Sequence, residues 1–250
     1  MTVQPTRVLV TGGSGRLGRV LTPLLTASGY AVRLASRGTS PPVDLVSGAG
    51  VVDAVSDIDV VVHLATTNGR RDVAMMRTLV AALDAGGDRL GPNVHLVYLS
   101  IVGCDEVPLP YYRHKTEAEQ VALNSGLPVT ILRSTQFHSL VALIFASQRR
   151  LPALVVPDIP MQPIDLADVA SRVVELVGGP AAGRVADIGG PQTAPLTEFA
   201  QQWQRAQGRR ARVLPVRLPG RTFAAYRAGR HTVPGTAYGR ISFRDSLGAV

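Results

Sequence analysis

The sequence has little cysteine, lysine or aromatic residue, and it has no long apolar run. A single cysteine, Cys104, excludes an intrachain disulfide framework and a cysteine-rich zinc site. The longest apolar run, Leu140–Ala146, is far shorter than the ~20 residues that a membrane-spanning helix needs. The N-terminus shows no basic segment followed by an apolar one, the pattern of a signal peptide. We therefore expect a soluble, cytoplasmic protein with no membrane partner.

The composition is that of a globular chain. Of its 250 residues, 46% are hydrophobic and 18% are charged, which excludes a disordered or collagen-like protein. This length suits one large α/β domain or a domain with a small appendage. No cluster of His, Asp or Glu has the spacing of metal ligands, so we expect no metal.

The positive charge is concentrated near the end of the chain. Of a net charge of +8, residues 201–250 contribute ten arginines against one acid, Asp245. A basic segment can serve nucleic acid, an acidic partner or a phosphate-bearing ligand. These arginines alternate with proline, glycine and apolar residues, unlike the contiguous basic arm of a nucleic-acid binder. We therefore expect exposed arginines on a folded cap and no nucleic-acid partner.

Short apolar runs alternate with helical patterns along the first half of the chain. The predicted strands are Arg7–Thr11, Tyr30–Ser36, Asp59–Ala65, Val94–Ser100 and Pro128–Leu132, and the predicted helices are Leu17–Ser28, Asp72–Ala85 and Tyr111–Ser125. The second half is less regular: it predicts helices at Ser139–Ser147, Leu166–Val177, Pro195–Ala206 and Leu218–Ala228, a strand at Val185–Ile188 and a proline-rich loop from Pro152 to Pro163. Asp165 or Asp168 is expected at the start of the helix Leu166–Val177.

Alternation of strands and helices indicates parallel βαβ units. We predict an α/β fold, a Rossmann-type doubly wound parallel sheet with a small C-terminal substrate-binding cap. The dinucleotide-binding core is expected over residues 1–135, completed by about 163–190, and the cap over about 136–162 and 191–250.

A glycine-rich loop follows the first strand and opens the first helix. It contains Gly12, Gly15 and Gly18, with three residues from each glycine to the next. In this context Gly12 can take a tight turn, Gly15 lets the backbone approach a pyrophosphate, and Gly18 allows close helix packing. The helix N-terminus presents free N–H groups to the phosphates. The predicted cofactor-binding residues here are Gly12, Ser14, Gly15, Arg16, Leu17 and Gly18.

The end of the second strand distinguishes the two nicotinamide dinucleotides. A site for NAD needs a carboxylate about 20 residues past the loop, but this stretch contains Ser36 and Arg37 and no acid. Both side chains can bind a 2′-phosphate, and Arg16 could reach the same group, so NADP(H) is favoured. The backbone of Leu64, Ala65 and Thr66 is expected to line the nicotinamide side.

The loop, with its three-and-three glycine spacing after a threonine, resembles the short-chain dehydrogenase/reductase superfamily in its extended or atypical branch. The resemblance implies that Asp44 contacts the adenine.

Tyr111 and Lys115 form a Tyr-x-x-x-Lys pattern, and positions i and i+4 share one face of a helix. A tyrosine has a pKa near ~10, and a neighbouring ammonium lowers it, so the pair can exchange a proton with a carbonyl or alcohol oxygen. Lys115 can also hydrogen-bond the nicotinamide ribose. It is the only lysine beside 25 arginines, which supports a chemical reason for keeping an amine. Tyr112 is also close to that face, but the superfamily spacing selects Tyr111.

The segments Val97–Gly103, Pro108–Lys115 and Thr130–His138 resemble NmrA-like atypical reductases, and the resemblance spans roughly residues 6–190. It implies that Ser100 polarises the substrate oxygen, although Ser100 lies nearer to Tyr111 than is usual in the family. It also implies that the segment after the fifth strand lines the substrate pocket, with the residues Thr135, Gln136, Phe137 and His138.

Together these features predict an NADP(H)-dependent oxidoreductase, a monomer or homodimer, that acts on a small carbonyl, quinone or alcohol. One alternative is an NADP-sensing NmrA-like regulatory protein without catalysis, whose arginine-rich C-terminal region binds a partner. The other alternative is a sugar-nucleotide epimerase, which uses the same Tyr and Lys but usually carries a larger cap.

Overall fold

A computed structural model describes residues 4–85, 94–235 and 237–248. Its helices are α1 (Arg16–Ala27), α2 (Val51–Val55), α3 (Arg71–Ala85), α4 (Pro110–Leu123), α5 (His138–Ala146), α6 (Leu166–Val177), α7 (Leu196–Ala206), α8 (Arg221–Arg227) and α9 (Phe243–Gly248). Its strands are β1 (Arg7–Thr11), β2 (Ala31–Ala35), β3 (Val60–His63), β4 (His95–Ile101), β5 (Val129–Ser134), β6 (Ala153–Pro157), β7 (Pro160–Met161), β8 (Gly183–Arg184), β9 (Ala194–Pro195) and β10 (Arg212–Val216).

The main sheet has six strands in the order β2-β1-β3-β4-β5-β8. β1 pairs in parallel with β2 on one side and with β3 on the other, and Thr11 lies opposite Ala35 and His63. The chain order therefore reverses beside β1, which is the position where doubly wound sheets bind ligands at their carboxyl ends. The predicted Rossmann-like α/β fold is confirmed.

The chain divides into two compact units, each built from discontinuous segments. The first unit comprises Met1–Ser100, Arg113–Leu132 and Ala170–Ala186. Its core packs strand side chains such as Val61 and Leu96 against helix side chains such as Met76 and Leu79, all of them essentially inaccessible to solvent. The central residues of β1 and β3 are apolar and buried at every position, because helices cover the parallel sheet.

The second unit comprises Ile101–Tyr112, Arg133–Val169 and Asp187–Val250. Its core combines aliphatic residues of α5 and β6 with aromatic residues of α7 and α9. Phe243 makes edge-on ring contacts with Phe199 and Phe145, with ring centroids 5.5 and 6.4 Å apart. This unit also holds the parallel pair β6–β10 and the antiparallel pair β7–β9.

Three predictions of secondary structure were wrong. The proline-rich stretch 152–163 contains β6 and β7, because Pro157 and Pro160 lie at strand ends, where a missing N–H is tolerated. Instead of a strand at Val185–Ile188, the structure has the shorter β8, which ends just before Val185. Ile188 forms only an isolated bridge with Ser134. α8 begins at Arg221 rather than at Leu218, since the prolines and glycine before it do not continue a helix.

Asp165 begins the helix α6. Its carboxylate accepts a hydrogen bond from the Ala167 amide at 2.8 Å, as an N-cap side chain does. Asp168 instead accepts hydrogen bonds from the amides of Arg240 and Ile241, at 2.9 and 3.1 Å. Of the two aspartates that the sequence offered for this position, the structure selects Asp165.

Candidate functional site

The loop between β1 and α1 needs glycine at two positions for steric reasons. Gly12 has a φ of +72°, and a Cβ there would lie 2.7 Å from the Ala65 amide nitrogen. At Gly18 a Cβ would lie 2.5 Å from the Gly13 Cα. The loop therefore runs closely against the chain that leaves β3, and α1 packs on the loop itself.

Gly15 has a different role, because its backbone is one that any residue can adopt. It is the N-cap of α1 with φ −71° and ψ 174°, and no side chain caps this helix end. The first turn of α1 also lacks an acidic residue. Ser14, Gly15 and Arg16 are exposed, whereas Leu17 is buried. The positive end of α1 is thus presented at a bare glycine, as an anion-binding helix terminus requires.

A tight turn follows β2 and presents Ser36 and Arg37. The Ser36 hydroxyl accepts a hydrogen bond from the Gly38 amide at 3.2 Å, and the Thr39 hydroxyl donates to the Ser36 carbonyl at 2.7 Å. Arg37 is exposed beside them. Two side-chain contacts thus fix the backbone from which the Arg37 guanidinium extends.

Asp44 lies in the next loop, where its carboxylate accepts hydrogen bonds from the Val46 amide at 2.9 Å and the Ser47 hydroxyl at 3.1 Å. The hydrogen bond from Val46 is the main reason that the pKa of Asp44 lies below its usual value, with smaller contributions from Ser47 and from the Arg37 charge. Asp44 is therefore a carboxylate at neutral pH, oriented by its own loop.

The chain after β3 is held by an aspartate that sequence reasoning missed. The Leu64 amide donates to the Thr11 carbonyl at 3.1 Å, which continues the β1–β3 pairing. The Thr67 amide and hydroxyl donate to one carboxylate oxygen of Asp72, at 2.7 and 2.8 Å, and the Thr66 hydroxyl donates to the other. Asp72 is the second residue of α3, so this helix anchors the segment predicted to line the nicotinamide.

Lys115 is 5% exposed, and its ammonium lies within the first unit. Its Nζ is 3.5 Å from the Asp72 carboxylate and 3.3 Å from the Tyr98 hydroxyl, and it lies over the Tyr98 ring at 5.2 Å from the centroid. Burial by itself raises the pKa of Asp72, but the Lys115 charge and the hydrogen bonds from Thr66 and Thr67 outweigh it, so the pKa is lowered. The two residues therefore form a buried ion pair.

His63 completes this buried network. Its Nδ1 is 2.7 Å from the Thr11 hydroxyl, and its ring stacks on Tyr98 with centroids 5.4 Å apart. Burial, reinforced by the nearby Lys115 charge, lowers the pKa of His63 to about 3. His63 is therefore neutral at physiological pH and stacks on Tyr98.

The two candidate tyrosines at the start of α4 differ in their surroundings. Tyr112 is 3% exposed, and its hydroxyl accepts a hydrogen bond from the Gln136 amide at 2.8 Å. Burial raises the pKa of Tyr112 well above its usual value, and the neighbouring Tyr226 raises it further. Tyr111 is partly exposed, and it lies four residues before Lys115 on the same helix. These surroundings favour Tyr111 as the proton-transfer residue.

The residues predicted to line the substrate pocket follow β5 in the second unit. The Thr135 amide donates to the Ile188 carbonyl at 3.0 Å, and Phe137 bridges to Ile164. His138 is buried, with Nε2 3.0 Å from the Pro163 carbonyl oxygen and Nδ1 3.3 Å from the Asp165 carboxylate. The Gln136 amide and both His138 nitrogens are thus engaged within the protein, and contact of these residues with a substrate stays a prediction. Ser100 is buried near the end of β4, and its catalytic role also stays a prediction.

Two other kinds of feature are absent from residues 4–85, 94–235 and 237–248. None of the helices in these ranges is long and apolar enough to cross a membrane. The same ranges contain no group of three or more His, Cys, Asp or Glu side chains that could hold a metal ion.

Residues 8–83 match the model of the NAD dependent epimerase/dehydratase family. Solved structures match nearly the whole chain. Their likeness to this chain is one of fold. A NADPH-dependent quinone oxidoreductase from Escherichia coli superposes with a TM-score of 0.79 at 15% identity, covering 97% of this chain and 98% of that one.

Two other solved structures show a similar likeness. A nucleoside-diphosphate-sugar epimerase from Staphylococcus aureus has a TM-score of 0.75 at 16% identity, covering 97% of this chain and 99% of that one. The dTDP-4-dehydrorhamnose reductase of Bacillus anthracis, in complex with NADP, has a TM-score of 0.74 at 18% identity and covers 97% of both chains. Among curated proteins no sequence matches this chain. The predicted resemblance is confirmed by the family model over residues 8–83 and, for the rest of the chain, at the level of the fold.

Proposed function

We propose that the protein is an NADP(H)-dependent oxidoreductase that reduces a small carbonyl or quinone, or oxidises the corresponding alcohol. The observation that carries the proposal is helix α4, which bears the partly exposed Tyr111 one turn before the buried Lys115. The same fold supplies a glycine-rich loop whose steric demands suit a dinucleotide. Reduction of a carbonyl needs both parts: the loop would hold the dinucleotide that donates the hydride, and Tyr111 with Lys115 would transfer the proton.

The residues around the β1–α1 loop fit a nicotinamide dinucleotide. A Cβ at Gly15 would have one close protein neighbour, the Gly12 carbonyl oxygen at 3.0 Å, and it would extend from the exposed N-terminus of α1, where a pyrophosphate binds. Asp44 would contact the adenine, the backbone of Leu64, Ala65 and Thr66 the nicotinamide, and Lys115 its ribose.

The residues that follow β2 favour the binding of NADP(H) over NAD(H). Ser36 and Arg37 supply a hydroxyl and a cation where a ribose-binding carboxylate is otherwise needed. The quinone oxidoreductase of Escherichia coli has been crystallised with NADPH, but a dTDP-glucose 4,6-dehydratase of Bacillus anthracis with this fold holds NAD. Since the fold accommodates either dinucleotide, the choice of NADP(H) over NAD(H) rests on the charge at Arg37.

The chain's own residues would handle the proton. A bound NADPH supplies a hydride to the carbonyl carbon. The Tyr111 phenol donates its proton to the developing alkoxide, and the resulting phenolate regains a proton from solvent. A positive charge on Lys115, one turn away on α4, favours the phenolate over the phenol. Ser100 would donate a hydrogen bond to the carbonyl oxygen, and the reverse sequence oxidises an alcohol.

The proposal is tested by incubating the protein with NADPH and a panel of quinones, ketones and aldehydes, and by following the absorbance of the reduced nicotinamide. We expect turnover with at least one class and a turnover at least about 10²-fold lower with the Tyr111→Phe variant. NADPH binding without turnover on the whole panel would favour the regulatory alternative. A gel shift at low salt then tests that alternative, because a nucleic-acid complex of the arginine-rich region would weaken steeply as salt is added.

Sugar-nucleotide epimerisation is the second candidate function, because the family model over residues 8–83 and three of the similar structures carry the name epimerase. The two functions differ in their stoichiometry. An epimerase returns the hydride to its substrate, whereas a reductase consumes one NADPH for each product. Product formation from a sugar nucleotide with no net loss of NADPH would select the epimerase.

A further inference from the structure

The only lysine of the chain is paired with a carboxylate that the proposed reaction does not use. The side chains of Lys115 and Asp72 are 6% and 2% exposed, and the ammonium and carboxylate are 3.5 Å apart. Removing one partner of a buried ion pair leaves an uncompensated charge, which is strongly unfavourable. The chemistry available to Lys115 therefore depends on Asp72.

The Asp72 carboxylate accepts hydrogen bonds at both of its oxygens. One oxygen receives the Thr67 amide and hydroxyl, and the other receives the Thr66 hydroxyl and faces the Lys115 ammonium. Every one of these groups donates, and only a carboxylate accepts at both oxygens without presenting a donor. An asparagine would turn its NH₂ group toward either Thr67 or Lys115, where it would meet another donor.

We propose that Asp72 is a positioning residue that fixes the Lys115 ammonium and couples it to the segment 64–67. This inference rests on the proposed function, in which Lys115 holds the nicotinamide ribose and that segment lines the nicotinamide. One carboxylate thus ties together two parts of the cofactor site that are 48 residues apart along the chain, at positions 67 and 115. Binding at either part then depends on the other through Asp72.

Several charged or titratable groups surround the ammonium. Asp72 faces it from α3 and Tyr98 from β4, while His63 of β3 lies behind Tyr98 and is neutral. On α4 itself, Tyr111 and Glu119 lie one turn before and one turn after Lys115. A change at Asp72 removes the negative charge from α3 and leaves the groups on β3, β4 and α4 in place.

The test uses the single lysine as a spectroscopic probe. Protein grown with ¹³C-labelled lysine gives the Cε signal of Lys115 alone, because the chain has no other lysine. In the Asp72→Asn variant we expect this signal to move and its titration to occur at a lower pH than in the wild type. We also expect the dissociation constant of NADPH to rise about tenfold or more, since a hydrogen bond to a charged group is lost.

Two further variants separate positioning from simple structural damage. Asp72→Glu keeps the charge and should restore most of the lysine signal and of the affinity. Asp53→Asn, which alters an exposed acid in the first turn of α2, should change neither. If Asp72→Asn does not fold, Thr67→Ala removes one hydrogen bond from an exposed position, and it should still move the lysine signal.

The outcomes distinguish this inference from the proposed function. An unchanged lysine signal in folded Asp72→Asn, or in Thr67→Ala where Asp72→Asn is unfolded, would overturn the positioning role. Failure of NADPH to bind the wild-type protein would instead overturn the proposed function, because the lysine signal is measured without any cofactor.

Discussion

Tyr111 and Tyr112 are adjacent residues whose hydroxyl groups lie in different environments. Tyr112 packs edge-on against Tyr226, with ring centroids 6.4 Å apart, and Gln136 donates to its oxygen. Burial holds its phenol in the neutral form, with a pKa well above the usual value. A residue that exchanges protons needs a pKa near the working pH, so this environment suits a structural hydroxyl.

The two tyrosines therefore predict opposite outcomes when each is changed to phenylalanine. Tyr111→Phe should lower kcat by about 10²- to 10⁴-fold while NADPH affinity stays the same, because only the proton donor is lost. Tyr112→Phe should keep kcat but lower the free energy of unfolding by about 1 kcal/mol, since the half-buried Gln136 amide loses its acceptor. Steady-state kinetics and urea unfolding measure the two effects, and full activity in Tyr111→Phe would refute the assigned role.

In the proposed function, Arg37 decides the choice between NADP(H) and NAD(H). Arg37→Asp removes a partner of the 2′-phosphate and supplies an acceptor for the ribose hydroxyl, so we expect NADP(H) affinity to fall and the preference to pass to NAD(H). Calorimetry with both dinucleotides measures it. Arg149→Asp, an equal change of charge at an exposed position in the second unit, should leave the preference as it is. Equal affinities in the wild type would contradict the assignment.

Sequence reasoning finds those site residues whose spacing carries the information. Tyr111 and Lys115 are four residues apart, so helix geometry alone relates them. Asp72 and Tyr98 were missed because their proximity to Lys115 arises only when α3, β4 and α4 have packed. Asp72 did carry a local signal, an acid in the first turn of a helix. Such an acid usually indicates only a favourable interaction with the helix dipole.

At the scale of elements, the β1–α1 loop is the part of the candidate site that has the tightest steric limits on side chains. Gly15→Ala should leave the fold nearly intact, because the φ of Gly15 is −71° and the added Cβ approaches only the Gly12 carbonyl oxygen, at 3.0 Å. NADPH affinity should fall at least about tenfold, since a methyl group would occupy the place of the pyrophosphate. Thermal unfolding with and without NADPH measures both effects.

Gly12→Ala is the matched comparison. It introduces a positive-φ alanine whose Cβ would lie 2.7 Å from the Ala65 amide, so it should lower the melting temperature even without cofactor. A variant Gly15→Ala that binds NADPH as tightly as the wild type would place the phosphates elsewhere.

Regular elements were predictable where their apolar pattern was long. β1 and α6 have the predicted bounds, and most other elements in the first half differ by one or two residues. The short α2 and the strands of the second unit were missed, because two to five residues carry too little pattern. β10 contains Pro215, which normally argues against a strand, and it pairs only with β6 in its two-stranded sheet.

At the scale of the whole molecule, buried histidines link stability to pH. His63, His95, His138 and His231 are buried, and burial lowers the pKa of each below 6.5, to about 3 for His63 and about 4 for His231. The unfolded chain therefore binds more protons than the folded protein below about pH 6.5. The stability that these neutral histidines contribute is fully present above that pH and is lost as the pH falls toward 4.

Each histidine that stays neutral in the folded protein should contribute a slope of up to about 1.4 kcal/mol per pH unit in this window. Urea unfolding at pH 7.5, 6 and 5 measures the slope. His63→Gln should reduce the slope by about 1.4 kcal/mol per pH unit, the contribution of one proton. A free energy of unfolding that is constant from pH 7.5 to 5 would contradict the expected linkage.

The interleaved segments of the first unit have a consequence for synthesis on the ribosome. β8 pairs with β5 through Gly183 and Arg184, and the Ala182 amide donates to the buried Thr130 hydroxyl at 3.1 Å. A nascent chain that has not yet released these residues from the exit tunnel lacks the sixth strand of its main sheet. Chains stalled before residue 182 should remain open to protease across β5, and protection should appear only after β8 has emerged.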